Sequence, residues 1–149
     1  MAVTMYTDGI AEALESLLTK ARRSIDVAMY RFNNPKLAGA LAGALERGIR
    51  IRLVLDRNKY EESASTRALF SSSKIPFRVR YGRNGPGSKM HHKFAIIDAE
   101  VLVTGSYNWT LESEEQNREN LLILLHNSEQ LKIYQQEFEI LWAESPPVR

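Results

Sequence analysis

The chain has 149 residues, 44% of them hydrophobic and 26% charged, which predicts one soluble globular domain over residues 1–149 with a sizeable core. It contains no cysteine, so disulfide bonds, a cysteine nucleophile and thiolate metal or iron–sulfur sites are excluded, and its three histidines leave little room for a zinc centre. The net charge is +2, but residues 63–97 hold seven basic and no acidic side chains; this segment is either a solvated basic face or a surface that attracts phosphates and polyanions.

No apolar run approaches the roughly 20 residues that a membrane-spanning helix needs, and the longest is Leu121–Leu125. We therefore predict no stable membrane insertion. The first 15 residues also lack a basic start followed by an apolar stretch, so no signal peptide is visible. The compartment stays open between the cytoplasm and, for a chain whose signal peptide has been removed, the periplasm or the exterior.

The first half of the chain alternates helix and strand patterns. Apolar residues recur at helical spacing from Ile10 to Ala21, and a segment rich in strand-forming residues follows over Ile25–Tyr30. Asn34 followed by Pro35 is typical of a helix N-terminus. The next strand is predicted over Ile49–Leu55, which completes a β-α-β unit.

The second half is richer in strands. Its predicted elements are a weaker helix over residues 60–72, a strand Phe77–Tyr81, a basic glycine-rich loop Gly82–Lys89, paired strands His91–Ile97 and Val101–Gly105, a polar loop Ser106–Arg118, a strand Glu119–Leu125, and a last helix that is capped by Asn127 and contains Leu131 to Trp142. Alternating elements early and paired strands later predict an α/β fold. We expect a mixed β-sheet covered by helices on both faces, an α/β/α sandwich.

One group of polar residues points to chemistry on a phosphate. On a strand, His91 and Lys93 project from the same face because side chains two residues apart do so. A hairpin returns Gly105, Ser106 and Asn108 towards them; a glycine lets a tetrahedral group approach the backbone, and the other two offer neutral donors. An imidazole among a lysine, an amide and a hydroxyl is typical of a phosphate site with a reactive group in it.

These residues form the pattern H-x-K-x4-D-x6-G-S-x-N, and at this point the sequence resembles the phospholipase D superfamily, whose signature it is. The resemblance extends to Ser24–Phe32, Arg47–Asp56 and Asn117–Leu121, and therefore covers nearly the whole chain. With a single signature, the chain is similar to the short bacterial endonucleases and the mitochondrial-surface members of the superfamily. The resemblance implies the phospholipase D-like fold in one catalytic domain.

The resemblance also implies a mechanism. In the family one histidine attacks phosphorus to give a covalent phosphohistidine, and a second protonates the leaving oxygen and later activates water. One chain offers only His91, whereas a twofold homodimer offers the same residue from both subunits, so we predict a symmetric homodimer with a shared site. Lys93 and Asn108 from each chain are expected to bind the nonbridging oxygens. No metal and no other cofactor is predicted.

Several further residues receive expected roles. Glu119 matches the family glutamate that accepts a hydrogen bond from the histidine ring, although an exposed carboxylate at a strand start remains the alternative. Ser106 is expected to donate a supporting hydrogen bond, and Asp98, the signature aspartate, is expected to be structural or orienting rather than a proton donor. Gly105, with Arg83 and Lys89 of the basic loop, completes the predicted substrate-binding set. His92 and His126, which have no predicted partner, are assigned to packing or to the surface.

Two substrates compete. The acid-free stretch from Arg67 to Lys93 leads into the catalytic strand and favours a metal-independent, sequence-nonspecific endonuclease acting on DNA and possibly RNA. The alternative is a phospholipase D-type lipid hydrolase acting on an anionic phospholipid such as cardiolipin. Such an enzyme is expected to need exposed apolar side chains near its site to contact the lipid, and the loop Gly82–Lys89 contains none. A binding protein without catalysis is the third hypothesis, which the intact signature disfavours.

Overall fold

The computed structural model describes residues 2–126 and 128–144. Its strands are β1 (Ala2–Tyr6), β2 (Ser24–Met29), β3 (Arg50–Asp56), β4 (Phe77–Arg80), β5 (Lys93–Ile97), β6 (Val101–Gly105) and β7 (Leu121–Leu125). Its helices are α1 (Ile10–Thr19), α2 (Pro35–Glu46), α3 (Arg57–Glu62), α4 (Ala64–Ser71), α5 (Leu111–Glu115) and α6 (Ser128–Glu144).

The strands form one mixed sheet of seven, in the order β1-β7-β6-β5-β2-β3-β4. Strands β2, β3 and β4 run parallel, as crossover connections through helices require, whereas β5, β6, β7 and β1 pair antiparallel. The register aligns Met29 of β2 with both Leu55 of β3 and Lys93 of β5. The carboxyl ends of β2 and β3 therefore lie at the same sheet edge as the start of β5.

Each face of the sheet has its own apolar core, as the predicted α/β/α sandwich requires. Helices α1, α2 and α4 pack on one face, where Leu14, Leu41 and Phe70 are buried against β2 and β3. Helix α6 covers the other face, where Phe138 packs with Phe94 and their neighbours. The sheet is covered on both sides because its central strands have apolar residues facing both ways.

The predicted helix after Asn34 is confirmed in detail, since that side chain accepts a hydrogen bond from the N–H of Lys36 at 2.9 Å. Three predictions about element bounds were wrong. The single helix over residues 60–72 is two helices, α3 and α4, because Ser63 leaves the helical conformation and caps the second. The loop 106–118 contains α5, which Thr110 caps, and the last strand begins at Leu121 rather than at Glu119. The predicted cap Asn127 lies outside the described residues.

Strand β1 was not predicted. It is an edge strand that pairs with β7, from Ala2 opposite Leu125 to Tyr6 opposite Leu121. Most of its side chains are exposed, and Met5 is 72% exposed. Strands are predicted from an alternation of apolar and polar residues, which arises when one face is buried. An edge strand that buries neither face does not need this alternation, so its sequence does not indicate a strand.

Candidate active site

Four strand ends bring the predicted polar residues to one edge of the sheet. Tyr30 follows β2, and His91 lies two residues before the start of β5. Ser106 follows β6, directly beside the segment that leads into β7, where Gly105 is paired with Leu121. These ends adjoin the carboxyl end of parallel β3, which is where open α/β sheets place their ligand sites.

The orientation predicted for His91 depends on the strand pattern continuing past the start of β5. It does so for one residue, because the N–H of Tyr30 donates to the carbonyl oxygen of His92 at 2.9 Å. The side chains of His91 and Lys93 both lie against the Tyr30 ring, whereas the His92 ring contacts Glu137 of α6. The His91 ring stands edge-on to the Tyr30 ring, with 4.5 Å between their centroids.

The surroundings of His91 favour its neutral form. Partial burial of the ring, and then the positive charges of Lys93 and Lys89, lower the pKa of His91 below the usual histidine value. The Asp56 carboxylate acts weakly in the opposite direction. Within residues 2–126 and 128–144 the ring makes no hydrogen bond, so a neutral nitrogen is available to attack an electrophile.

Lys93 lies beside that ring. Its Nζ donates to the carbonyl oxygen of His91 at 3.3 Å and lies 5.6 Å from the centroid of the Tyr30 ring. Burial lowers the pKa of Lys93, and the negative charge of Glu119 partly offsets this effect. The ammonium group is thus held near His91, in a position suited to the negative charge of a phosphate.

Asn108, Ser106 and Glu119 are placed by hydrogen bonds at the same edge. The Asn108 side-chain oxygen accepts from the N–H of Arg31 at 3.2 Å, which leaves its amide N–H groups available to a ligand. Ser106 Oγ donates to Glu119 Oε1 at 2.6 Å, and Asn117 donates to Glu119 Oε2 at 3.1 Å. The resemblance implied a hydrogen bond from the His91 ring to Glu119. The chain instead uses that carboxylate to hold Ser106.

Gly105 has a structural requirement of its own. Its φ is +153°, and a Cβ on this residue would collide with the backbone carbonyl oxygen of Asn120. The close approach of the β6 and β7 segments therefore accounts for the glycine, which the sequence attributed to the approach of a phosphate.

Asp98 lies at the opposite end of β5 from His91. Its carboxylate accepts the backbone N–H groups of Arg22, Arg23 and Ser24 at 2.6 to 3.1 Å. Burial raises the pKa of this carboxyl, but the three donors and the charge of Arg23 outweigh it and hold the pKa below its usual value. Asp98 thus ties the β5–β6 turn to the start of β2, and the geometry separates it from the other candidate site residues.

A cavity of about 460 Å³ opens beside His91, between the Gly82–Lys89 loop and α6. Arg83 and Lys89, which were predicted to bind substrate, line this cavity, and both are exposed. The loop is held in shape by hydrogen bonds between Asn84 and Ser88 and by the Asn58 side chain, which donates to the carbonyl of Pro86 at 2.8 Å. The cations are therefore presented by an ordered loop.

Helix α6 forms the other wall of this cavity. Ile140 contributes an apolar side chain that is 52% exposed, next to Leu141. His92 also lines the cavity, and its Nε2 lies 2.9 Å from Glu137 Oε2. The sequence indicated no partner for His92, because the partner comes from a helix 45 residues further along the chain.

The seven basic side chains from Arg67 to Lys93 do not all serve one site. Arg83, Lys89 and Lys93 lie near His91, and none of the three makes an ion pair in the described part of the chain. Arg80 lines the cavity but pairs with Glu144 at 2.7 Å. Other cations of the stretch serve the fold, as Arg78 does by donating to the carbonyl of Trp142. The basic path that was expected to favour nucleic acid is therefore shorter than the sequence suggested.

Sequence reasoning missed Asp56, the last residue of β3. Its side chain is fully buried; Oδ1 accepts the N–H of Met90 at 2.8 Å, and Oδ2 accepts the N–H of Lys59 at 3.0 Å. The carboxylate therefore joins the start of α3 to the residue that precedes His91. An aspartate between a buried strand and a helix signals a cap, but nothing local shows that it also binds Met90.

No three histidine or acidic side chains converge as a metal site within residues 2–126 and 128–144. Across the same residues, no helix combines the length and apolar character of a membrane span.

Comparisons with known proteins agree on one family. A family model described as "Cardiolipin synthase, PLD-like domain" matches residues 14–142. The chain is 38% identical over 142 residues to the mitochondrial cardiolipin hydrolase of Xenopus tropicalis, covering 95% of this chain and 65% of the relative. It is 37% identical over 140 residues to the mitochondrial cardiolipin hydrolase of Homo sapiens, covering 94% of this chain and 53% of the relative. The chain thus spans about half to two thirds of the length of these relatives.

A solved structure confirms the fold assignment. Nuc from Salmonella typhimurium, a phospholipase D family member, superposes with a TM-score of 0.87 at 25% sequence identity. The match covers 99% of this chain and 98% of Nuc.

Proposed function

Because this chain belongs to the phospholipase D superfamily, we propose that it hydrolyses a phosphodiester bond and that its substrate is an anionic phospholipid of the cardiolipin type. The observation that supports this substrate is the cavity beside His91, where Arg83 and Lys89 lie on one wall and α6 contributes the exposed Ile140. The α6 wall also carries two carboxylates, and these are paired, Glu137 with His92 and Glu144 with Arg80. A phospholipid needs both cations and an apolar contact, because its phosphate is charged and its glycerol and acyl carbons are not.

The reaction begins with the neutral His91 ring. A ring nitrogen attacks phosphorus, forming a P–N bond, while the P–O bond to the leaving alcohol breaks and that oxygen takes a proton. Water then attacks the phosphohistidine, which restores the imidazole and releases the phosphate monoester. Lys93 and the Asn108 amide bind the nonbridging oxygens, where negative charge accumulates in the transition state.

A second imidazole is needed to give the leaving oxygen its proton. His92 is engaged by Glu137, so His91 of a second copy is the better donor, and we propose a twofold homodimer in which two copies share one site. Sedimentation of the purified protein tests this proposal. The expected mass is twice the 17.0 kDa of one chain, and a strict monomer that retains full activity refutes the shared site.

The apolar wall removes the sequence argument against a lipid substrate. That argument noted the lack of apolar anchors in the loop Gly82–Lys89, but the tertiary structure supplies Ile140 from α6 across the cavity. Covering the exposed half of an isoleucine side chain with substrate carbons stabilises a complex by about 1 kcal/mol. That free energy corresponds to roughly a fivefold gain in affinity.

Nucleic acid is the second candidate, supported by the three cations near His91 that make no ion pair in the described chain. Arg83 and Lys89 line the cavity beside His91, and Lys93 lies next to His91. Such an arrangement binds a sugar-phosphate backbone without reading bases, so no sequence preference is expected.

One set of assays tests both candidates. Purified protein in EDTA is given cardiolipin vesicles, single- and double-stranded DNA, and RNA, in parallel with His91→Ala. Release of phosphatidic acid or phosphatidylglycerol that is lost in His91→Ala supports the lipid substrate. Cleavage of nucleic acid alone replaces it with the second candidate, and turnover of neither overturns the proposed function.

A matched pair of variants tests the apolar wall. Ile140→Ser removes the side chain that lines the cavity, whereas Ile133→Ser removes an isoleucine of the same helix that is 62% exposed and lies outside the cavity. We expect lipid hydrolysis to fall about fivefold in the first variant only. Equal effects in the two variants contradict a role of the wall in binding lipid.

A further inference from the structure

A second cavity, of about 260 Å³, is lined by Tyr30, which does not line the cavity beside His91. It forms where the segment after β2 meets α3 and the start of α4. The charged residues that line it are Arg31, Lys59 and Glu62. None of the catalytic residues proposed above lines this cavity.

Tyr30 joins this cavity to the reacting centre. Its ring contacts the His91 ring at 4.5 Å between centroids. Lys93 Nζ and Lys59 Nζ lie 5.6 and 5.8 Å from the same Tyr30 centroid. One aromatic ring therefore separates the phosphate expected at His91 from an ammonium group on the wall of the second cavity.

Two cations at this cavity are held by partners that an incoming anion can replace. Lys59 Nζ lies 3.1 Å from Glu62, and Arg31 Nη2 lies 3.4 Å from Glu112; both glutamates are exposed. Exposed ion pairs of this kind contribute little to stability. The hydrogen bond to Glu62 raises the pKa of Lys59, so the ammonium is charged, and the charge of Arg31 acts on it from nearby.

We propose that this cavity binds a second phosphate of the substrate, one bridge away from the phosphate that His91 attacks. The proposal rests on the proposed function, because it supposes that a phosphodiester occupies His91. Cardiolipin carries two phosphates on one glycerol, and a nucleic-acid strand carries its next phosphate one sugar away. Both offer the same chemistry, a second phosphodiester anion at short range, and Arg31 and Lys59 would bind it by charge-assisted hydrogen bonds.

Pairs of substrates that differ by one phosphate test this subsite. The lipid pair is cardiolipin and phosphatidylglycerol, and the nucleotide pair is the thymidine trinucleotide and dinucleotide. In Lys59→Gln and in Arg31→Gln we expect kcat/KM to fall about tenfold for the member with two phosphates and to change little for the other. Whichever pair the protein turns over identifies the source of the phosphate.

Arg23→Gln is the matched control. Arg23 is also exposed and also pairs with a glutamate, Glu100 at 3.0 Å, but it lies at the end of the sheet where Asp98 is. Its removal is expected to leave the ratio between paired substrates unchanged. A ratio that stays constant in Lys59→Gln and Arg31→Gln, or that falls equally in Arg23→Gln, overturns the subsite.

The subsite can fail independently of the proposed function. Binding of the four probes to the His91→Ala chain is measured by calorimetry, with the subsite variants made in that background. Preference for two phosphates that disappears in Lys59→Gln supports the subsite even without turnover, and the absence of any preference refutes it. Loss of turnover with all four substrates in the unaltered protein refutes the proposed function instead.

Discussion

Asp56 is the buried carboxylate that we expect to position His91. It binds the N–H of Met90 at 2.8 Å and the N–H of Lys59 at 3.0 Å, and no part of it is exposed. Asp56→Asn preserves the shape of the side chain but leaves one oxygen for two donors, because the other position becomes an NH₂ group. One buried N–H then faces a donor instead of an acceptor.

The expected loss can be stated for stability and for catalysis. An unsatisfied buried donor costs about 1–3 kcal/mol, and a loss of about 2 kcal/mol lowers Tm by roughly 4–8 °C in a chain of this size. Because Met90 precedes His91, a shift of its backbone misplaces the imidazole, and a misplacement of about 1 Å can reduce kcat about 100-fold. The negative charge of Asp56 also raises the pKa of His91, so its loss moves the acid limb of kcat/KM to lower pH.

Thermal unfolding and a pH–rate profile on the preferred substrate measure both effects. Asp26→Asn is the control: Asp26 is also buried, but it binds Arg52 and Gln135 on the α6 side of the sheet. It should lose stability while keeping kcat at temperatures where it is folded. The reasoning is refuted if Asp56→Asn unfolds at a lower temperature than the unaltered protein but keeps the same kcat and the same acid side of its pH–rate profile.

Three further substitutions have expected outcomes. Lys89→Gln removes a positive charge that lowers the pKa of His91. In the pH profile of kcat/KM, the rise on the acid side should therefore move to higher pH. An acid side that is unchanged or that moves to lower pH contradicts this expectation. In Glu119→Gln the charge that raises the pKa of Lys93 is lost, so the basic limb should move to lower pH, and an unchanged limb in the same pH–rate profile counts against the assignment. In Asp98→Asn the free energy of unfolding in urea should fall by about 1–3 kcal/mol with kcat unchanged, whereas a large loss of kcat in the folded variant would give Asp98 a catalytic role. Since folding lowers the pKa of Asp98, its contribution is present above about pH 4 and disappears as the pH falls through the folded-state pKa.

Local patterns predicted where several candidate residues lie. The expectation that His91 and Lys93 project to the same side rests on the two-residue period of an extended chain, which needs no knowledge of the neighbouring strands, and both side chains lie against Tyr30. The return of Ser106 follows from a turn short enough to force an antiparallel pair, and β5 and β6 do pair from Phe94 opposite Thr104 to Ile97 opposite Val101. The helix cap at Asn34 is local for the same reason, since its partner lies two residues away.

The partners of these residues could not be predicted in the same way. Asp56 and Met90 are 34 residues apart, and Asp98 lies 76 residues from Arg22. Such bonds depend on which strands become neighbours and in which register. The same is true of Glu119, which binds Ser106 across β6 and β7 although the resemblance assigned it to the histidine ring.

The sequence by itself determined the fold class, the family and the candidate pair His91 and Lys93, because these depend on periodicity and on residues close together in the chain. Only the tertiary structure decided the surroundings of that pair. It placed Ile140 opposite the basic loop, tied Asp56 to the residue before His91 and moved Asp98 to the far end of the sheet. The physical reason is that burial, desolvation and long-range hydrogen bonds depend on which elements pack together. The connections between strands determine that packing, and no short segment of sequence encodes it.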